Sequence, residues 1–279
     1  MNQRLAPLYV THTIHVPGSR LIFTASCFAG KDWSLSPLQW PNDIAANRPL
    51  ANKVASALRS IGAVCAFAPN PTEFNAQIIQ QGDLDRFLML GERLYMRRKQ
   101  DCPADGTNLS MRGHAGIFSA GGCGVIVVSN GYDLVFAHAG RESLLDWRRV
   151  KTRGKEEDRH TDVVENVIEA IGGKPKDLHV WPFFFIKPSD FYHRFDDPDP
   201  KHAKYNRAAA EYLPHKYGVY AGKIDEHGIY IDLSNIAYAQ AVKCGVLGEN
   251  IHLDYRHMPE GLPHTRNGGG RYLVAIVRQ

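Results

Sequence analysis

The sequence predicts an α+β fold: mixed β-sheets packed as a sandwich and flanked by helices, in a single domain over residues 1–279. Three observations carry this. Apolar runs of strand length recur along the whole chain. Between them lie a few segments with apolar residues three to four apart, the helical spacing. The two kinds are mixed without the strict alternation of a doubly wound parallel sheet.

The elements follow in order. Residues 8–16 (LYVTHTIHV) and 21–26 (LIFTAS) flank Pro17-Gly18 and read as a hairpin. Asn42 or Asp43 would cap a helix reaching Ser60, with Ile44, Leu50, Val54, Ala57 and Leu58 on its apolar face. Residues 63–68 (AVCAFA) form a buried strand, a helical piece spans Asp83 to Arg97, and residues 99–106 (KQDCPADG) are a loop. Residues 124–129 (GVIVVS) and 134–139 (LVFAHA) are strands joined through Asn130-Gly131, a hairpin signal. Thr161 would cap a helix closed by Gly172-Gly173. Residues 179–186 (HVWPFFFI) are a strand in which Pro182 suggests an edge or a bulge. Residues 187–202 are a surface excursion. A helix at 203–212, strands at 218–224 and 228–233, a helix at 235–244 and strands at 251–255 and 271–277 complete the chain.

Composition narrows the function classes. Hydrophobic residues make up 44% and charged residues 22%, enough for a large core and too ordered a balance for a disordered chain. The net charge of +4 is spread along the chain, so nucleic acid is not an expected partner. The basic run Arg148 to Lys155 leads into Glu156, Glu157 and Asp158 and reads as a solvated loop. No run of 18 apolar residues exists, which argues against a membrane span. The five cysteines are odd in number and contain no CxxC, against a disulfide framework or a zinc knuckle. A cytoplasmic location is expected, with export by a route lacking a signal peptide as the alternative. Oligomeric state is left open.

Chemistry concentrates between Ser119 and Ser143. Ala120, Gly121 and Gly122 precede Cys123, and Gly124 follows it. Small residues let the backbone approach a substrate carbonyl. A strand begins after the cysteine, and the hairpin returns His138 beside it. A thiol next to an imidazole forms a thiolate at neutral pH. The same pair could instead ligate a metal. Cys27, Cys65 and Cys244 read as small buried hydrophobes. Asp196, Asp197 and Asp199, interleaved with prolines, read as a solvated loop rather than a cation site, and Gly268 to Gly270 as a flexible loop.

His138-Ala139-Gly140 at a strand end, with a cysteine one hairpin upstream, resembles the laccase-domain family of polyphenol oxidase-like and purine nucleoside phosphorylase proteins. Asn47-Arg48 with Leu50, the stretch Tyr230 to Val246, and Thr265-Arg266 with Gly270-Arg271-Tyr272-Leu273 resemble further family segments in the same order. This resemblance implies a zinc-dependent purine nucleoside phosphorylase with Cys123, His138 and His114 as ligands. The chain departs from that family at Gly121-Gly122 before the cysteine, at Arg141-Glu142-Ser143 after the His-Ala-Gly, and at Met89-Leu90-Gly91-Glu92, where the family carries a histidine. Gly121-Gly122-Cys123 with the returning His138 is also similar to the cytotoxic necrotizing factor deamidases. That resemblance implies a metal-free, thiol-dependent hydrolase acting on a protein glutamine side chain or a small amide. Cys123 would be the nucleophile and His138 the general base. Gly121, Gly122, Gly124, Gly140, Arg141, Arg266 and Arg271 would line the oxyanion or substrate site. The hydrolase without cofactor is the favoured expectation. The alternatives are the zinc phosphorylase, with purine nucleoside and phosphate as partners, and a degenerate binding module.

Overall fold

The computed structural model describes residues 8–29, 33–35, 47–69, 71, 77–80, 104–145, 162–262, 264–265, 268 and 270–279, with 87–89 and 94–97 as backbone. The expected caps Asn42, Asp43 and Thr161, the basic run from Arg148, and Cys102 and Arg266 lie outside the described residues.

The opening hairpin forms as β1 (Leu8–His15) and β2 (Ile22–Phe28). The C-terminal strand β15 (Tyr272–Arg278) then pairs β2 on one side and β8 (His114–Ala120) on the other. β3 (Cys65–Ala68) joins β8 in parallel, and β6 (Leu94–Arg97) and β5 (Phe87–Met89) complete a seven-stranded sheet ordered β1-β2-β15-β8-β3-β6-β5. The five-stranded sheet runs β11-β9-β10-β7-β4. Its members are β11 (His179–Phe183), β9 (Gly124–Ser129), β10 (Leu134–Ala139), β7 (Gly106–Leu109) and β4 (Ile78–Ile79). A small third sheet holds β12 (Tyr192–Arg194), β14 (Gly228–Ile231) and β13 (Gly222–Ile224). Both larger sheets mix parallel and antiparallel pairs, so the fold is α+β as the patterning predicts.

The two large sheets pack face to face. Phe23 of β2 meets Trp181 and Phe183 of β11 edge-on, at centroid distances of 5.2 and 6.1 Å. At Gly116 the approach is so close that a Cβ would lie 2.1 Å from the Phe136 ring. Helix α1 (Arg48–Ser60) covers the outer face of the larger sheet, burying Val54, Ala57 and Leu58 in a cluster with Ile117, Leu273 and Ala275. The short α2 (Arg141–Leu144) follows β10. Helix α3 (Val163–Ile171) buries Val163, Val164, Val167, Ile168 and Ile171 in the main core, which includes β9 and β10 residues. Helix α4 (Pro200–Tyr217) and helix α5 (Leu233–Lys243) enclose the remainder. Among the described residues no helix is long and apolar enough to cross a membrane.

Several expectations are corrected. Within the segment Asp83 to Arg97, expected as a helix, the described residues 87–89 and 94–97 are the strands β5 and β6. β6 completes the parallel pairing of β3, a tertiary demand that outweighs local helical spacing. Residues 251–255 contribute a single bridge at Ile251 instead of a strand, and residues 218–221 form a 3-10 turn before β13. The acidic stretch, read as a solvated loop, is ordered by local bonds: Arg194 forks onto Asp196 with two bonds of 2.8 Å, and Asp199 caps α4 through Lys201. Pro182 does lie in an edge strand.

Candidate active site

The register of one hairpin assembles the site. β9 and β10 pair Gly124 with Ala139 and Val125 with His138, so one step further Gly140 stands opposite Cys123. Paired residues share a face, and side chains alternate along each strand, so Cys123, His138 and Gly140 all face the same way. Gly140 leaves the space between the reactive pair. A Cβ there would lie 2.5 Å from His138 Cε1 and Nε2 and 3.2 Å from Cys123 Sγ. The imidazole also stacks on Phe118 of β8 at 4.2 Å. It is held between the two sheets with its Nε2 edge toward the thiol.

The other edge of the ring meets Asp105. The Asp105 carboxylate Oδ1 lies 3.1 Å from His138 Nδ1, and both side chains are buried. The Asp105 carbonyl accepts the His138 backbone N–H at 2.8 Å. The sequence reading placed Asp105 in a loop and left the third group unnamed. Its signal was the unrecognised strand β7, which begins at Gly106 and pairs with Ala137, setting the preceding residue beside His138. Gly106 itself is demanded by that approach, since a Cβ would lie 2.3 Å from the Phe136 carbonyl.

This chain sets the charge states. Burial alone would keep His138 neutral, but its bond to Asp105 and the nearby Cys123 thiol raise its pKa to about 9. Burial pushes the Cys123 thiol up. The adjacent His138 and the charges of Arg271 and Arg141 overcome this and bring it below the ordinary thiol value. Each member of the pair therefore favours the charged form of the other. Cys123 as a residue is half-buried, whereas Cys27 is enclosed in the core. Cys244 is pushed up to about 11 by burial, and Cys27 higher still.

The glycines hold the backbone around the sulfur. Gly122 takes φ +127°, a conformation L side chains rarely adopt, and its carbonyl accepts the Ile186 N–H at 3.2 Å. Gly121 accepts the backbone N–H and the hydroxyl of Thr265, and Gly124 lies so close to Phe185 that a Cβ would sit 2.4 Å from its ring. Tyr272, buried in the core, donates toward the carbonyls of Cys123 at 3.2 Å and Phe184 at 3.3 Å. The Gly122 amide is directed at the Tyr272 hydroxyl. Arg271 donates to the Ser119 carbonyl at 3.1 Å, and Arg141 lies 3.4 Å from Glu142. A cleft of about 440 Å³, lined by Ile186, Lys187, Asp190, Met258, Glu260 and His264, opens beside the Gly121–Gly122 turn.

The zinc set implied by the family resemblance does not fit. His114 starts β8, opposite Cys65 and packed 5.4 Å from the Phe67 ring. Six residues of strand separate it from the Cys123 end, about 20 Å at strand rise. Among the described residues, no group of three or more His, Cys, Asp or Glu is arranged to hold a metal ion.

No family model and no curated protein matches the sequence. Solved structures match in fold. YlmD from Geobacillus stearothermophilus aligns with a TM-score of 0.56 at 16% identity, covering 93% of this chain and 92% of its own. The Neisseria meningitidis protein NMB0706, of family model DUF152, gives 0.56 at 15% identity over 96% and 98%. The hypothetical protein YfiH of Bacillus licheniformis gives 0.53 at 15% over 94% and 98%. This chain shares the fold of these three proteins over most of its length. At this identity the likeness is one of fold, and fold alone does not carry function. The comparisons give no support to the necrotizing-factor resemblance, which rests on the segment around Cys123.

Proposed function

We propose that this chain is an enzyme of laccase-like fold that breaks a carbon–nitrogen bond with a Cys123–His138–Asp105 triad. The observation that carries the reading is the buried chain from Asp105 through the His138 ring to the Cys123 thiol. Its best-fitting reaction is hydrolysis of an amide, on a protein glutamine or a small amide. The Cys123 thiolate attacks the amide carbon and forms a C–S bond. His138 gives its proton to the departing nitrogen, and the C–N bond breaks with loss of ammonia. Water, deprotonated by His138, then cleaves the thioester and returns the thiol. Asp105 holds the imidazole by Nδ1 and stabilises its charged form. The Cys123 amide is the nearest backbone donor left for the oxyanion, and Arg141 and Arg271 add positive field.

The fold comparisons favour a second reading, purine nucleoside phosphorolysis, over the amide hydrolase. In it Arg141 and Arg271 hold phosphate for attack on the sugar carbon, and His138 protonates the leaving base. No step in it is routed through zinc, because the described donors do not make a zinc site.

One experiment separates the two. The protein is incubated with glutamine-containing peptides, with ammonia as the readout, and in parallel with inosine or adenosine plus phosphate, with free base as the readout. Ammonia release lost in Cys123→Ser supports amide hydrolysis. Phosphate-dependent base release without ammonia replaces it by phosphorolysis. Neither product in either assay leaves the non-catalytic binding module.

A further inference from the structure

A second concavity lies at the far end of the same sheet. β10 begins there at Leu134 and reaches the candidate active site at Ala139, about 17 Å away at strand rise. The cavity is larger, about 940 Å³, and forms where the β1–β2, β7–β8 and β9–β10 turns meet the end of β15. Three guanidiniums line it, each from a different segment: Arg20, Arg112 and Arg278.

Arg278 is fixed in place, donating to the carbonyls of Leu109 at 3.0 Å and Tyr132 at 2.6 Å, with Asp133 at 3.4 Å. Arg20 and Arg112 are exposed and make no ion pair among the described residues. Asp177 is the carboxylate among the lining residues, so positive charge prevails. His179 in the same wall is held toward its neutral form by burial.

Large apolar side chains stand beside these cations. Tyr132 lines the groove and is 80% exposed, Met111 precedes Arg112 and is 61% exposed, and Val64 is 54% exposed. The Val64 N–H donates to Gly113 at 2.8 Å and the Gly113 N–H to Arg278 at 2.7 Å. These bonds pin Val64 and the Met111–Gly113 turn to the end of β15. Cations and apolar groups thus share one rigid rim.

We propose that this groove docks an acidic peptide segment of a partner protein. Its carboxylates would meet Arg20 and Arg112, and its apolar side chains would meet Tyr132, Met111 and Val64. One small anion would use one or two of three separated arginines and none of the apolar rim. A nucleic acid would stack on Tyr132 but gain little from Val64 and Met111, and the cations lining this groove are three separate arginines rather than a stripe along a phosphate backbone. Charge complementarity with an apolar anchor is the combination that a peptide supplies. The site is independent of the reaction proposed at Cys123.

The test is selection of short random phage-displayed peptides on the full chain, counter-selected on Arg20→Glu/Arg112→Glu. Enriched peptides are expected to combine Asp or Glu with Leu, Phe or Trp. Their affinity should fall at least about tenfold in the double variant and fall again as salt is raised. Both residues are exposed, so melting temperature and Cys123 alkylation rate should stay at wild-type values. Should the charge reversal unfold the protein, Arg20→Gln/Arg112→Gln serves in its place. No enrichment, enrichment without acidic bias, or equal binding by the folded double variant overturns the proposal. Tighter binding of a single-stranded oligonucleotide than of any selected peptide also overturns it, in favour of nucleic acid.

Discussion

Cys27 and Cys123 lie near the same buried tyrosine, close enough for the charge of either to act on the Tyr272 hydroxyl, yet their chemistry is opposite. Cys27 sits inside β2 across from Val274, wholly enclosed by the apolar core. Burial pushes its thiol far up, and it is an inert packing group. Cys123 is one residue outside β9, at a glycine turn, with an imidazole, a buried carboxylate behind it and two guanidiniums in range. The same atom type has its pKa pushed up in one place and brought down in the other. Reactivity here belongs to the neighbours and not to the residue.

The comparison breaks most completely at the sulfur itself. Cys123→Ser is expected to abolish labelling by iodoacetamide at neutral pH and any ammonia-releasing activity, a loss of roughly a thousandfold or more. Cys27→Ser should change neither. Peptide mapping after alkylation checks this. Preferential labelling of Cys27 in the native protein would erase the contrast.

Next in size is the charge relay. Asp105→Asn removes the group that raises His138, so the imidazolium and the thiolate it stabilises are both weakened. Each unit of upward shift in the thiol lowers the thiolate fraction at neutral pH about tenfold, and the Cys123 alkylation rate should follow. The pH profile carries the sign. A thiol with a lowered folded pKa stabilises the fold above its unfolded value and loses that contribution as pH falls through the lowered one. His138 does the reverse: its contribution is complete below about 6.5 and fades as pH rises through about 9. Alkylation of Cys123 should therefore rise at a pH below that of an ordinary thiol. In Asp105→Asn that rise should move to higher pH, while Cys27 stays unlabelled.

Gly140→Ala sharpens the steric side. Gly140 has φ −77° and ψ 170°, a backbone conformation open to any residue, so the substitution adds no backbone strain. Its methyl would still arrive 2.5 Å from the imidazole and force the ring away from the sulfur. The expected result is overpacking that costs about 1–3 kcal/mol in denaturant unfolding. The pH midpoint of Cys123 alkylation should shift upward. An unchanged midpoint would mean that the pair tolerates separation.

The smallest change is Tyr272→Phe, midway between the two thiols. It removes the hydroxyl that ties the Cys123 and Phe184 carbonyls, at a cost of about 1–3 kcal/mol for the acceptors left unmade. Phe184 is the non-glycine residue with positive φ among the described residues, at +57°, so this tie holds one strained point of the backbone to the carbonyl of Cys123. Reactivity of Cys123 should fall modestly, and Cys27 should remain silent. A change in stability with no change at Cys123 would make the tyrosine purely a packing residue.

Local sequence determined much of this molecule. The hairpin of β9 and β10 was legible because each strand is a continuous apolar run and Asn130-Gly131 marks the turn between them. The Asn130 side chain does accept the amides of Tyr132 and Asp133, the local bonds that shape that turn. With the hairpin comes the approach of Cys123 to His138, since period and count alone return one to the other. The α+β class and the outer strands followed from the same periodicities. What only tertiary structure decided involves partners far apart in sequence. Asp105 became the third group because β7 pairs with β10, and a four-residue strand leaves too little pattern to announce itself. β5 and β6 took strand form because β3 offered an edge, against a local helical spacing. His114 was nine residues from Cys123 in the chain, yet an extended strand carried it to the opposite end of the sheet. Side chains alternate within a strand by local geometry, but which strand lies beside which is settled by burial summed over the whole fold, and no segment holds that sum.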